Sequence, residues 1–280
     1  MNWRILILGG SGVAALGAGA FLLNQKLKEA TPEPDDGTGD TGDGDTGTSA
    51  EQQETDKSAG AAPPLGDPRW GPVPTDFQKL ITRTQQAAGI PYLWAFASIC
   101  AHRESGFVAN AHNQDAKEVA GSTNGIEAGL KRGNPKPKFP EEIKAFGSGG
   151  LFGALASSFA WIGMDAAFMP FIRRKPSLVF EPEASAVFLA HYFYRITSPG
   201  YAKGRTLSMF DVRVGWASPT LLKDDPNGAK AEAVKVRMRE DIKALGWDEQ
   251  WVLSLPVVRS HYAGIKAVAG AFNYKPSQED

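Results

Sequence analysis

The stretch Ala97–Phe107, ASICAHRESGF, decides how the rest of the chain is read. It opens as the back half of an apolar helix and ends in a Glu-Ser-Gly-Phe step. Pro91 suits the first turn of that helix, because its missing N–H would be unpaired there in any case. Leu93, Phe96, Cys100 and Glu104 follow at spacings of three, four and four, so they share one helix face. Gly106 supplies a stop. Three of the four residues are apolar and the last is a carboxylate, so Glu104 is expected in the last turn on the core-facing side. Burial and the negative end of the helix dipole both disfavour an ionised carboxyl there. A carboxyl that keeps its proton near neutral pH can act as a general acid. The competing reading is a helix-end Glu that turns into water or pairs with Arg103.

Working outward, Thr75 reads as the N-cap of a helix over Asp76–Ala88 that Gly89 ends. Residues 108–149 are polar and rich in Gly, Asn and Pro. They predict a long loop with at most a short helix or hairpin, and long loops in compact domains are usually functional. Leu151–Phe168 is small and apolar and predicts a buried helix. Further helices are expected over Glu183–Ile196, Leu207–Trp216, Ala229–Leu245 and Pro256–Phe272. Strand signals are scarce, so the fold class is mainly α.

Upstream the composition changes twice. Ile5–Leu23 is 19 residues without a charge, and at about 1.5 Å per residue such a helix nearly matches the ~30 Å hydrocarbon core of a bilayer. Residues 1–28 therefore read as a transmembrane anchor or a signal segment with Ala18-Gly19-Ala20 as its cleavage site. The anchor is favoured because the apolar run continues past that site. Residues 29–68 are acidic and nearly devoid of apolar side chains, which predicts a disordered linker. A faint calcium-loop pattern in GDGDTG is incomplete. The domain is expected over 69–280. Residues 1–68 hold 11 Asp+Glu and 4 Lys+Arg, whereas 69–280 hold 20 and 26. A mildly basic domain suits an anionic polymer. No basic run with interleaved aromatics marks a nucleic-acid surface. The single cysteine, Cys100, excludes an intrachain disulfide.

The order of motifs from about residue 88 to 275 resembles the catalytic domain of the lytic transglycosylases, a lysozyme-like family that cuts peptidoglycan. Glu104–Phe107 match that family's Glu-Ser-Gly-Phe in full. GSGGLFGAL places Gly150, Leu151 and Phe152 on the first three positions of its Gly-Leu-Met-Gln motif. EPEASAVFLAHYF is similar to its acidic-Pro-Glu helix, VGWASP to its Ala-Tyr-Asn-Ala-Gly-Pro turn, and LPVVRSHYAGI to its closing Leu-Pro, Arg, Tyr pattern. There are departures: the motif Gln falls on Gly153, the Tyr on Gly215, the Asn on Trp216, and a Glu on Val258.

The resemblance implies a lysozyme-like helical domain in which Glu104 is the catalytic acid, working without metal or cofactor. Ser105, Gly150, Leu151, Phe152, Trp216 and Tyr262 are the candidate substrate-binding residues it suggests. Gly149 and Gly150 would let backbone approach a sugar, and Phe152 and Trp216 suit either a cleft or the core. No second carboxylate sits in a matching motif; Asp115 and Glu118 lie in the long loop. The implied partners are peptidoglycan strands and, through residues 5–23, a lipid bilayer. The setting is a bacterial envelope, with the domain facing the wall, or a virion membrane. The rival reading is a lysozyme-like module that holds glycan or builds an assembly without cutting. A thiol hydrolase built on Cys100 and a zinc site of His102, His112 and Asp115 fit poorly, by position in the helix and by spacing.

Overall fold

Two glycines in left-handed backbone fix the frame around Glu104. Helix α1, Thr75–Ala88, ends at Gly89 (φ 63°), and α2, Leu93–Ser105, ends at Gly106 (φ 59°). The computed structural model describes residues 60–113, 119, 148–155, 176–259 and 261–272. Outside them lie the apolar segment 5–23, the acidic stretch up to residue 59, Asp115 and Glu118, and most of the segment expected to form a helix over 151–168. No helix among the described residues is long and apolar enough to cross a membrane.

The described residues are mainly helical. After α2 comes a small antiparallel sheet of β1 (His112–Asn113), β2 (Ser148–Gly149) and β3 (Ala154–Leu155) in that order, with His112 opposite Gly149 and Ser148 opposite Leu155. A 3-10 turn at Pro176–Phe180 leads to α3, Pro182–Ile196. Then follow α4 (Pro199–Ala202), α5 (Met209–Ala217), α6 (Pro219–Asp224), α7 (Ala229–Ala244), α8 (Glu249–Ser254) and α9 (Tyr262–Ala271). Helix α1 packs on α9, α3 and α2, while α2 also meets α7 and α5.

Several boundaries differ from expectation. Pro91 precedes α2 rather than opening it, because Tyr92 takes left-handed backbone (φ 58°) at the N-cap. The first turn is instead served by Gln85, whose Oε1 accepts from Trp94 N at 2.9 Å and whose Nε2 donates to Gly60 O at 2.7 Å. Pro74, not Thr75, is the N-cap of α1. Residues 60–68 join the folded unit instead of the linker: Trp70 is fully buried and its indole N–H lies 3.1 Å from Pro64 O. Leu151–Leu155 is turn and strand, not helix, since Gly150 and Gly153 adopt φ of 75° and 58° and so break an α-helical run. The closing helix starts only at Tyr262.

The core explains why α2 stays put. Leu93, Phe96, Ile99 and Cys100 are fully buried, and burying each large apolar side chain is worth about 2–3 kcal/mol. Trp94 packs among Trp70, Trp247 and Trp251 at centroid distances of 4.9, 5.4 and 5.8 Å.

The last turn of α2 is pinned by charge as well. Asp241 on α7, its side chain 3% exposed, accepts from Arg103 Nε at 2.8 Å and faces His102 Nδ1 at 2.9 Å. Arg103 also donates to Glu240 and to Arg237 O. Arg103 therefore serves α7 and not Glu104. Asp241→Ala would leave two donors facing an apolar gap. Removing one partner of a buried pair costs about 3–5 kcal/mol. His102 and Arg103 are each about one-third exposed and can turn to water, so about 2–3 kcal/mol is expected here, read as a lowered midpoint in urea unfolding.

Candidate functional site

Glu104 comes to the surface where α2 runs out. Its three face-mates Leu93, Phe96 and Cys100 meet the core, but the fourth position reaches the rim: the residue as a whole is exposed, with its side chain 28% exposed beside Arg213. It is neither enclosed, as its helix face suggested, nor free in solvent. Oε1 accepts from Arg213 Nη2 on α5 at 2.6 Å. Arg213 is the hydrogen-bond partner of the carboxyl among the described residues, and its own side chain is only 7% exposed. Burial works against the Arg213 charge, but the Glu104 carboxylate favours it, and the balance leaves the guanidinium above its ordinary pKa.

The second wall is the β2–β3 turn. Ser105 Oγ donates to Leu151 O at 2.8 Å, with Ala101 O 3.1 Å away as an alternative acceptor. Gly150 N donates to Ala111 O at 2.9 Å. These contacts bring the Glu-Ser-Gly-Phe end of α2 against the Gly-Leu-Phe-Gly turn. A Cβ placed on Gly153 would stand 2.8 Å from Glu104 Oε2 and 3.0 Å from Glu104 Cβ. A bare backbone at Gly153 thus faces the carboxyl, and any side chain there would press on it.

Gly153→Ala is therefore expected to hurt twice. Left-handed backbone costs a residue with a Cβ about 1–2 kcal/mol, and the methyl must push the carboxyl aside. A misplacement of about 1 Å can cost about 100-fold in a reaction that depends on position. Thermal unfolding would show the first effect. The second would appear as a displaced Glu104 carboxyl in a crystal structure of the variant.

The other candidate residues divide. Phe152 and Trp216, considered for a cleft, are core side chains, 1% and 8% exposed, with ring centroids 6.2 Å apart. Trp216 also meets Phe96, Phe188 and Tyr192. The space beside Gly149 and Gly150 is taken by Phe180 and by Val179 O, so the glycines serve packing here rather than an approaching sugar. Leu151 is 4% exposed. Tyr262 stands at the start of α9 against Tyr194, centroids 5.9 Å apart, with Lys266 over its ring; it is not brought to the Glu104 carboxyl. Gly215 faces Leu222 and Ile196, away from Glu104. Cys100 is fully buried, and burial pushes its thiol well up from the ordinary value, so it has no nucleophilic character.

A groove of about 510 Å³ is lined by Phe77, Leu80, Arg83, Phe107, Leu151 and Phe272 among others. It shares Phe107 and Leu151 with the α2 end and the β2–β3 turn, but the carboxyl itself does not line it. Arg213 was not singled out from the sequence. The signal available was a guanidinium inside the otherwise apolar run Val212–Trp216, three positions from Trp216 and so on the same helix face.

No protein-family model, no curated protein and no solved structure matches the chain.

Proposed function

We propose that the chain cleaves the glycan strands of peptidoglycan between N-acetylmuramic acid and N-acetylglucosamine, as a lytic transglycosylase with Glu104 as its acid. The observation that carries the reading is the meeting of two sequence-distant motifs at one carboxyl: Ser105 on Leu151 O, and Glu104 against the bare backbone of Gly153. In this scheme the Glu104 proton passes to the glycosidic oxygen as the C1–O bond breaks and an oxocarbenium-like centre forms. The deprotonated carboxylate then takes the proton of the C6 hydroxyl, whose oxygen closes on C1. The products are a 1,6-anhydro-muramic end and a strand with a free hydroxyl, with the carboxyl returned to its starting form. Glu104 Oε2, which makes no hydrogen bond to a described residue, is the oxygen suited to carry the proton. The chain would work from a membrane anchored through residues 5–23, with the domain toward the wall in a bacterial envelope or from a virion membrane.

Mass spectrometry of digested peptidoglycan tests the reading directly. Anhydro-muropeptides are expected; hydrolysed reducing ends alone would point to a lysozyme-type reaction instead. The second reading, a module that binds glycan or builds an assembly without cutting, is favoured by the pairing of Glu104 with a buried cation. It predicts cosedimentation with peptidoglycan and no new chain ends.

A further inference from the structure

Arg213 sits on α5 in a run that otherwise carries only Asp211, which is used in the capping box with Ser208. Its side chain is 7% exposed, and Nη2 is 2.6 Å from Glu104 Oε1. Nη1 is buried and has no acceptor among the described residues. The guanidinium is planar with its donors in a fixed fork, and Nη2 alone is bonded to the carboxyl. One turn along α5, Trp216 packs on Phe152, so the helix that carries the guanidinium is held to the turn that carries Gly153. The carboxyl is thereby bounded on two sides: Oε1 by Arg213, Oε2 by Gly153.

We propose that Arg213 is the positioning residue of this site: its guanidinium holds the Glu104 carboxyl in the gap before Gly153, with Oε2 turned toward the bare backbone. That this placement serves cleavage rests on the glycan-cleaving reading. A misplacement of about 1 Å can cost about 100-fold in a step that depends on position. Being buried and already oriented, the guanidinium has no solvent to rearrange. A lysine would retain the charge but lose the fork.

The alternative is a plain staple between α5 and α2, and the two are separated by Arg213→Gln and Arg213→Lys in the full chain. The readouts are kcat and KM on purified peptidoglycan, with the position of the Glu104 carboxyl in a crystal structure of each variant. Positioning predicts that Arg213→Gln lowers kcat by about 100-fold while KM changes by less than about threefold, and that the carboxyl leaves the Gly153 gap. Arg213→Lys recovers about tenfold of the lost rate. A folded Arg213→Gln chain with kcat within about threefold of wild type, or with the carboxyl still before Gly153, overturns the proposal. If the Gln variant does not fold, Arg213→Lys decides alone: lowered kcat at unchanged KM supports positioning, and unchanged kcat overturns it. A wild-type chain that leaves peptidoglycan uncut refutes the glycan-cleaving reading, and the carboxyl position then judges the positioning claim without it.

Discussion

Glu104→Gln is expected to lower peptidoglycan cleavage by about 1,000-fold or more while the chain stays folded. A positioned general acid is worth about 100- to 10,000-fold. In a one-carboxyl scheme the same group both gives and takes the proton, so an amide fails at both steps. Folding should survive for three reasons. The amide has nearly the same shape, the side chain is already 28% exposed, and the amide oxygen can still accept from Arg213 Nη2. The change weakens a hydrogen bond accepted from a buried guanidinium, a cost of about 1–3 kcal/mol. Gel zymography, anhydro-muropeptide yield and thermal unfolding of the same preparation check both halves. If the Gln variant still makes anhydro ends at more than about one-tenth of the wild-type rate, the proton comes from elsewhere. The assignment of Glu104 is then wrong.

The parts of this molecule legible from sequence are those set by local rules. Gly89 and Gly106 end α1 and α2 because only glycine enters left-handed backbone freely. The apolar spacing of Leu93, Phe96 and Cys100 correctly marked a core face. Helices α3 and α7 lie where Pro182 and Gly246 bracket periodic runs. The parts that were not legible depend on residues far apart. Leu151–Leu155 is apolar enough for a helix, but Ala154–Leu155 is drawn into a hairpin by pairing with Ser148–Gly149, which pairs in turn with His112–Asn113 and packs, with Gly150, against Phe180 and Val179. The site shows the same division. The four-residue motif points to Glu104, whereas Gly153 reads from sequence only as a departure from the resembled family's Gln. The Arg213 partner lies 109 residues from Glu104, and no local pattern announces an ion pair across that distance. It also changes the chemistry expected of the helix end. A carboxyl kept neutral by apolar surroundings was the simple picture. The carboxyl found is held between a guanidinium and a bare backbone, so its orientation is fixed by charge and close contact rather than by enclosure.

The position of Trp216 separates a core role from a sugar-stacking role, and Trp216→Ala should show a large loss of stability. The indole is 8% exposed and touches four rings, with centroids 5.8 Å from Phe96, 6.2 Å from Phe152, 5.8 Å from Phe188 and 5.0 Å from Tyr192. Truncating a buried Trp to Ala costs about 3–5 kcal/mol, because the cavity cannot close fully around the missing ring. At about 2–4 °C per kcal/mol for a domain of this size, Tm should fall by about 6–20 °C. A residue that only lined a cleft would leave Tm nearly unchanged and raise KM instead. The core role also predicts an effect on the site. Phe152 leans on Trp216 and adjoins Gly153, so the cavity loosens the turn that faces Glu104. The folded fraction of Trp216→Ala, assayed well below its Tm, should therefore show a reduced kcat with little change in KM. Trp216→Phe keeps a ring in the cluster and should recover most of both losses. Unchanged stability in Trp216→Ala together with a raised KM would return this residue to the substrate surface and place the glycan along α5.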